Sequence, residues 1–213
     1  MIIKNFNLMW RKIKRNKVFA LINIFGLSVG IAVFILISMW IRNEFSYDRY
    51  NVNLDKIYRI EIGGSVYMVS AIAQAFKNEF PEIEKAVRFG GMGSVLLSEN
   101  DRSIFVNNTF LADSTLFDVF TYKFIYGNPK DALVTPFSIV LTESTSKTLF
   151  GDSDPTGKSI KIDNKFEALV TGVVKDVKMT HMPVDAIASF VTLGKIYPQE
   201  DYLNSFGTSQ YPT

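Results

Sequence analysis

The stretch VFALINIFGLSVGIAVFILISMWI, from Val18 to Ile41, decides how the rest of the chain is read, because its 24 residues carry no charge. At about 1.5 Å per residue a helix of this length reaches roughly 36 Å, enough to cross a hydrocarbon core of about 30 Å with some tilt. A cleaved signal would have an apolar region of about 7–15 residues before a small-residue cleavage site; here the run ends in Met39-Trp40-Ile41-Arg42. A core helix of a soluble protein would rarely be apolar on every face for so long. The expectation is therefore an uncleaved transmembrane helix over residues 18–41. Within it, Gly26 and Gly30 have the spacing that lets a second helix approach closely, and Asn23 can hydrogen-bond across such a seam. These three are the candidate helix-packing residues.

Charge sets the orientation. Lys4, Arg11, Lys12, Lys14, Arg15 and Lys17 precede the span without a single acid, whereas Arg42 and Arg49 follow it. The side rich in Lys and Arg is retained in the cytoplasm, so the N-terminus is expected inside and the larger part outside. Ile2, Ile3, Phe6, Met9, Trp10 and Ile13 recur at helical spacing opposite most of those cations. Residues 1–17 thus read as a basic amphipathic helix on the cytoplasmic membrane surface. With six of the 23 basic residues placed there, the remainder has 17 against 21 acidic residues. A mildly acidic body disfavours nucleic acid as a partner and leaves the membrane as the partner of the basic segment. Cysteine is absent, which excludes disulfides, thiol nucleophiles and thiolate metal sites.

Residues 42–213 read as an extracytoplasmic α+β domain. Asn43 to Tyr50 continues as helix, and Ile57-Tyr58-Arg59-Ile60-Glu61-Ile62 alternates as a strand ended by Gly63-Gly64. A helix from Ser70 to Phe80 stops at Pro81, and strands follow at Ala86–Phe89, Ser94–Ser98 and Ser103–Leu111, the last two joined at Asn100-Asp101. Thr115–Phe120 reads as a short helix capped by Asp113 or Ser114, and Tyr122–Tyr126 as a strand closed by Gly127. Strand Ser138–Leu141, helix Glu143–Phe150 capped by Thr142, and strands Ser159–Ile162 and Ala168–Val174 complete the pattern. Strands interspersed with short helices predict α+β architecture rather than a regular parallel sheet.

Two places resemble chemistry. Gly151-Asp152-Ser153-Asp154-Pro155-Thr156-Gly157-Lys158-Ser159 looks like a phosphate loop, but five residues separate its glycines and a strand-like Ile160-Lys161-Ile162 follows. No helix N-terminus is in place to hold phosphate, so a turn is expected. His181 is the only histidine, near Asp176 and Asp185 in one loop, and is expected to be a hydrogen-bonded loop residue rather than a metal ligand. No catalytic, cofactor or metal residues are assigned, and the chain is not expected to be an enzyme.

Taken in order, the residues resemble a known family. Arg11 to Lys17 with Phe19 to Gly30, then Glu44 to Tyr50 and Lys56 to Arg59, resemble the start of MacB-like (FtsX-like) ABC transporter permeases. Phe117 to Phe120, Ser138 to Ser144, Leu149 to Gly151, Asp154 to Lys158, Gly172 to Val177 and His181 to Asp185 are similar to successive landmarks of that family's periplasmic core domain. The resemblance implies a permease component in a bacterial inner membrane, with its main domain periplasmic. An ABC ATPase subunit or domain, further transmembrane helices, a homodimer and a periplasmic partner are implied with it, as is export of an envelope substrate driven by cytoplasmic ATP hydrolysis. Because the family's remaining helices and the rest of its periplasmic domain are missing, the chain is expected to be an incomplete N-terminal part. The alternative is a membrane-anchored binding or sensing module without transport activity.

Overall fold

A computed structural model describes residues 15–65 and 70–197. The expected amphipathic helix over residues 1–17 lies almost entirely outside them. The chain divides into two units between Tyr47 and Asp48.

The first unit contains one long helix, α1 (Lys17–Glu44), of 28 residues with none buried. It is long and apolar enough to cross a membrane, and at about 1.5 Å per residue it extends about 42 Å. The expected continuation to Tyr50 is not formed. The Ser46 amide and hydroxyl donate to the Asn43 carbonyl at 3.0 and 2.5 Å, and the Tyr47 amide donates to that of Glu44 at 3.2 Å. These tighter turns satisfy the last carbonyls of the helix, and Asp48, at φ 56°, turns the chain away.

In the second unit a 3-10 turn (Leu54–Lys56) precedes α2 (Ala71–Glu79). The strand expected at Ile57–Ile62 does not form; only an isolated bridge joins Ile62 to Ser65 around Gly63 and Gly64. Next come β1 (Phe89–Glu99), β2 (Arg102–Ala112), α3 (Leu116–Val119) and β3 (Phe124–Gly127). After them lie β4 (Ser138–Thr142), α4 (Glu143–Phe150), β5 (Ser159–Ile162), β6 (Phe166–Val174) and β7 (Ala186–Ser189), then a 3-10 turn and α5 (Leu193–Ile196). The two strands expected at Ala86–Phe89 and Ser94–Ser98 are replaced by the single β1, bent by register shifts on either side of Gly93. The strand β7 was not anticipated.

The sheet runs β3-β6-β4-β7-β2-β1-β5, and β5 also pairs with β6, so six of the strands close on themselves. Pairs β4–β6 and β2–β7 are parallel and the others antiparallel. This mixed sheet with short helices is the expected α+β class. Leu149 of α4 packs among Val95, Leu97, Ile139, Leu141, Ile160 and Val170 on one side of the sheet. Leu116, Leu133, Val140, Val174 and Ile187 form a second cluster on the other. Successive residues of β4 feed opposite clusters, so every residue of that strand is buried.

Local chemistry explains the boundaries. The Thr142 hydroxyl accepts from the Thr145 amide at 3.4 Å at the start of α4, and Gly151 at φ 70° ends it. The cap expected at Asp113 or Ser114 for α3 is not made. Thr115 occupies that position without a side-chain cap bond, and Asp113 is taken by Arg88, with guanidinium nitrogens at 2.8 and 2.7 Å and the Arg88 amide at 2.9 Å. The same guanidinium lies 4.3 Å from the Phe190 ring centre. A forked, partly desolvated pair of this kind outweighs a weak cap on a four-residue helix.

Candidate functional site

In α1, Asn23, Gly26 and Gly30 are all exposed. At about 100° per residue, positions 23, 26 and 30 fall within roughly 60° of one another, on one face. A Cβ added at Gly26 or Gly30 would meet nothing within 4 Å among the described residues.

Just after α1 the chain is fastened by one carboxylate. The Asp48 amide donates to the Met179 carbonyl at 2.9 Å. Its Oδ1 accepts from the Thr180 hydroxyl at 2.7 Å and the His181 amide at 3.3 Å, and its Oδ2 lies 2.7 Å from His181 Nδ1. Partial burial pushes the Asp48 carboxyl up, but the Thr180 hydroxyl, the His181 ring and amide and the nearby His181 charge outweigh it and hold the carboxyl below its ordinary range. Three residues on, buried Asn51 accepts the Thr121 amide at 2.9 Å, while the Val52 amide donates to the Thr121 hydroxyl at 3.0 Å. Tyr50 meets Tyr122 edge to face at 6.1 Å, and Tyr122 meets Phe117 in the same way at 5.8 Å. Burial and the neighbouring Tyr50 push the Tyr122 hydroxyl well above its ordinary value, so it stays neutral. Residues 48–52 are thereby sewn to two loops that are distant in sequence.

The acidic loop residues do not gather around His181. Asp185 accepts the Asn107 and Asn108 amides at 3.1 and 3.0 Å, and Asp176 accepts the Ser144 hydroxyl at 2.6 Å. No metal-holding group of three His, Cys, Asp or Glu side chains occurs among the described residues. His181 is hydrogen-bonded in a loop, as expected, but to Asp48, a partner 133 residues away that no local pattern reveals. A shallow polar groove lined by Glu143, Ser144, Lys147, Lys175, Asp176 and Lys178 lies beside α4. Several of its groups are satisfied internally, with Lys147 on Glu143 at 2.8 Å.

The phosphate-loop look-alike is a turn. Asp154 accepts the Thr156 amide and hydroxyl at 2.9 and 2.7 Å, which lowers its carboxyl pKa. Gly157, at φ 82°, donates its amide to Val170 at 2.8 Å. Lys158 lies 5.2 Å from the Phe150 ring centre, and the chain runs straight into β5. The amides of Thr156, Gly157 and Lys158 are committed to the turn and the sheet.

An unburied helix long and apolar enough to cross a membrane, followed by a small mixed sheet that closes on itself and is sewn to the segment after the helix, defines the class of the chain as α+β behind an apolar helix. The family described as MacB-like periplasmic core domain matches residues 20–208, and the chain belongs to that family. Among curated proteins none matches. Of solved structures, a domain of a protein described as a permease, from Porphyromonas gingivalis, is similar at 21% identity and TM-score 0.56 over 65% of this chain and 57% of that one. It shares the fold. The periplasmic region of MacB from Actinobacillus actinomycetemcomitans matches at 23% identity and TM-score 0.48, over 60% of this chain and 57% of that one. The extracellular domain of the noncanonic ABC-type transporter YknZ from Gram-positive bacteria matches at 17% identity and TM-score 0.45, over 62% and 74%. The chain thus spans little more than half of the first two.

Proposed function

We propose that this chain is the N-terminal part of the permease component of a MacB-like ABC transporter, with residues 18–41 spanning the inner membrane and residues 42–213 contributing a periplasmic core domain. The observation that carries the reading is the sequence of parts: a 28-residue apolar helix without buried residues runs directly into a domain of the MacB-like periplasmic core family. The basic N-terminal flank supports a cytoplasmic N-terminus.

In this reading the chain performs no catalysis itself. Work arrives from a cytoplasmic ABC ATPase, and the segment sewn down by Asp48 and Asn51 passes displacement to the sheet domain, in a homodimer completed by further membrane helices and a periplasmic partner. Export of an envelope substrate is the outcome. One apolar helix offers no polar route through a bilayer, so the chain does not transport alone.

The test has two arms. In spheroplasts, added protease should degrade the chain beyond Arg42; survival of the domain until lysis would reverse the topology. In proteoliposomes the 213-residue chain alone should show no ATP-dependent efflux, whereas a complete permease carrying this segment, with its ATPase, should. Efflux from the chain alone would replace the permease reading with a self-assembling pore, and no efflux from the complete assembly would favour a binding or sensing module.

A further inference from the structure

His181 is the only histidine in the chain, and histidine is the side chain whose unperturbed titration falls between pH 5 and 8. Its Nδ1 lies 2.7 Å from Asp48 Oδ2, with the His181 side chain 56% exposed and that of Asp48 27%. The contact does not stand alone. The Asp48 amide donates to the Met179 carbonyl, and Asp48 Oδ1 accepts from the Thr180 hydroxyl and the His181 amide. Met179, Thr180 and His181 are thus wrapped around the first residue of the second unit.

The bond between ring and carboxylate outlasts a change in the ring's charge, but its strength does not. A neutral ring with its proton on Nδ1 donates to the carboxylate, and a protonated ring donates from the same nitrogen with an opposite charge added. Burial pushes the Asp48 carboxyl up, yet the Thr180 hydroxyl and the His181 ring, amide and charge hold it below its ordinary range, so it stays ionised wherever histidine titrates. The other charged groups of the neighbourhood are occupied. Asp176 accepts from Ser144, Asp185 accepts from the Asn107 and Asn108 amides, and Lys175 and Lys178 line the groove beside α4. Tyr122, on which the Asp48 charge also acts, stays neutral, and Arg49 makes contacts of its own.

We infer that His181 and Asp48 form a pH-graded clasp, in which proton uptake by His181 tightens the hold of residues 179–181 on the start of the second unit and proton loss loosens it. The grip is greatest between about pH 4 and about pH 6.5, where the carboxylate is charged and the ring is protonated. It weakens as pH rises through the titration of the ring in the folded chain. The clasp stands on the contacts around Asp48; that it regulates how displacement reaches the sheet rests on the permease reading above.

The full chain in detergent, without ATP or ATPase, is followed by amide hydrogen exchange at single residues at about pH 5.5 and about pH 8, on either side of the ordinary histidine titration, with rates corrected for intrinsic exchange. The Asp48 amide reports the clasp, and the amide of Leu141, buried in β4, reports the fold. A partly exposed pair shifts an opening equilibrium modestly, so Asp48 protection should be about two- to fivefold higher at the lower pH, with Leu141 unchanged. In His181→Gln, which keeps a donor but cannot take up a proton, that ratio should fall to about one. With one histidine in the chain, its ring resonance gives a second reading: Asp48→Asn should lower its titration midpoint by about 0.3–0.7 pH unit, the same two- to fivefold coupling. Equal Asp48 protection at both pH values in wild type would overturn the inference, as would a ratio that survives in His181→Gln or a ring midpoint unmoved by Asp48→Asn. Any of these failures leaves the topology and efflux tests untouched.

Discussion

Ser138–Thr142 and Ile57–Ile62 both read as strands, but they end in opposite circumstances. The first lies between β6 and β7, with every residue buried and its side chains divided between two apolar clusters. Among the described residues the second makes only the isolated bridge of Ile62 to Ser65, and Tyr58 is in solvent. Branched and aromatic residues make a segment fit for a sheet without supplying the neighbours. What separates the two is long-range partnership, which supplies both the hydrogen bonds and the buried area.

The largest expected effect sharpens that contrast. Leu141 is 0% exposed, so Leu141→Ala should cost about 2–5 kcal/mol through lost transfer energy and a residual cavity. Tyr58→Ala, removing a larger side chain, should stay within about 0.5 kcal/mol in a monomeric preparation. Urea unfolding of both variants in detergent compares them. A Tyr58 cost approaching that of Leu141 would mean that the segment is part of the folded core.

A second way to break the comparison is to attack the sheet through its backbone. Gly127, at φ 83°, pairs with Gly172 where β3 meets β6. A Cβ there would strike the Thr171 carbonyl oxygen and come within 2.8 Å of the Gly172 Cα. Gly127→Ala should destabilise by about 2–4 kcal/mol, combining left-handed strain with overpacking. Gly64→Ala tests the solitary segment; with nothing within 4 Å of its Cβ and φ 80°, it should cost only the conformational part, about 1–2 kcal/mol. Thermal unfolding distinguishes them.

The same contrast governs what was legible from residues alone. The helix α4, its Thr142 cap, Gly151 and β5 were readable because each depends on chemistry within a few positions. So was the Asn100-Asp101 turn, where Asn100 takes φ 49°. The strand β7 was not, because Ala186-Ile187-Ala188-Ser189 is short, small and buried on both faces, without alternation. Its neighbours β2 and β4 make it a strand. Asp113 was misread for a related reason: a local cap competed with Arg88, a partner 25 residues away. The Asp48–His181 contact spans 133 positions. Motif order nonetheless led to the family, since an ordered set of short landmarks requires no knowledge of which residues touch.

Asp48 tests how firmly the segment after α1 is held. Asp48→Asn removes the charged partner of Thr180 and His181 and should cost about 1–2 kcal/mol. Because the folded carboxyl is held below its ordinary value, its contribution is present above the unfolded pKa of about 3.9 and is lost as pH falls through the lower folded value. Wild type should therefore lose this increment only below about pH 4, and Asp48→Asn should lack that part of the acid slope. Unfolding measured at pH 7 and at successively lower pH gives the comparison; an unchanged slope in the variant would assign the acid sensitivity to other carboxylates.

The smallest effect is expected in the opposite direction and inside the sheet. Thr109 is 1% exposed, and its hydroxyl is the buried side-chain polar atom without a partner among the described residues. It sits on β2 at the register shift, opposite Gly93 and beside Ala186 of β7. The bulge aims the residue inward but supplies no acceptor, and an orphaned buried hydroxyl costs roughly 1–3 kcal/mol relative to one that is satisfied. Thr109→Val keeps the branched shape and removes the orphan, so it should stabilise by up to about 1 kcal/mol, allowing for imperfect packing of the new methyl. Thr109→Ser keeps the hydroxyl and deletes the methyl, and should destabilise by about 1 kcal/mol. Opposite signs for the two variants would show that the hydroxyl is a liability tolerated at the bulge. If both destabilise, a buried water satisfies the hydroxyl, and the interior of the closed sheet is wetter than its apolar lining implies.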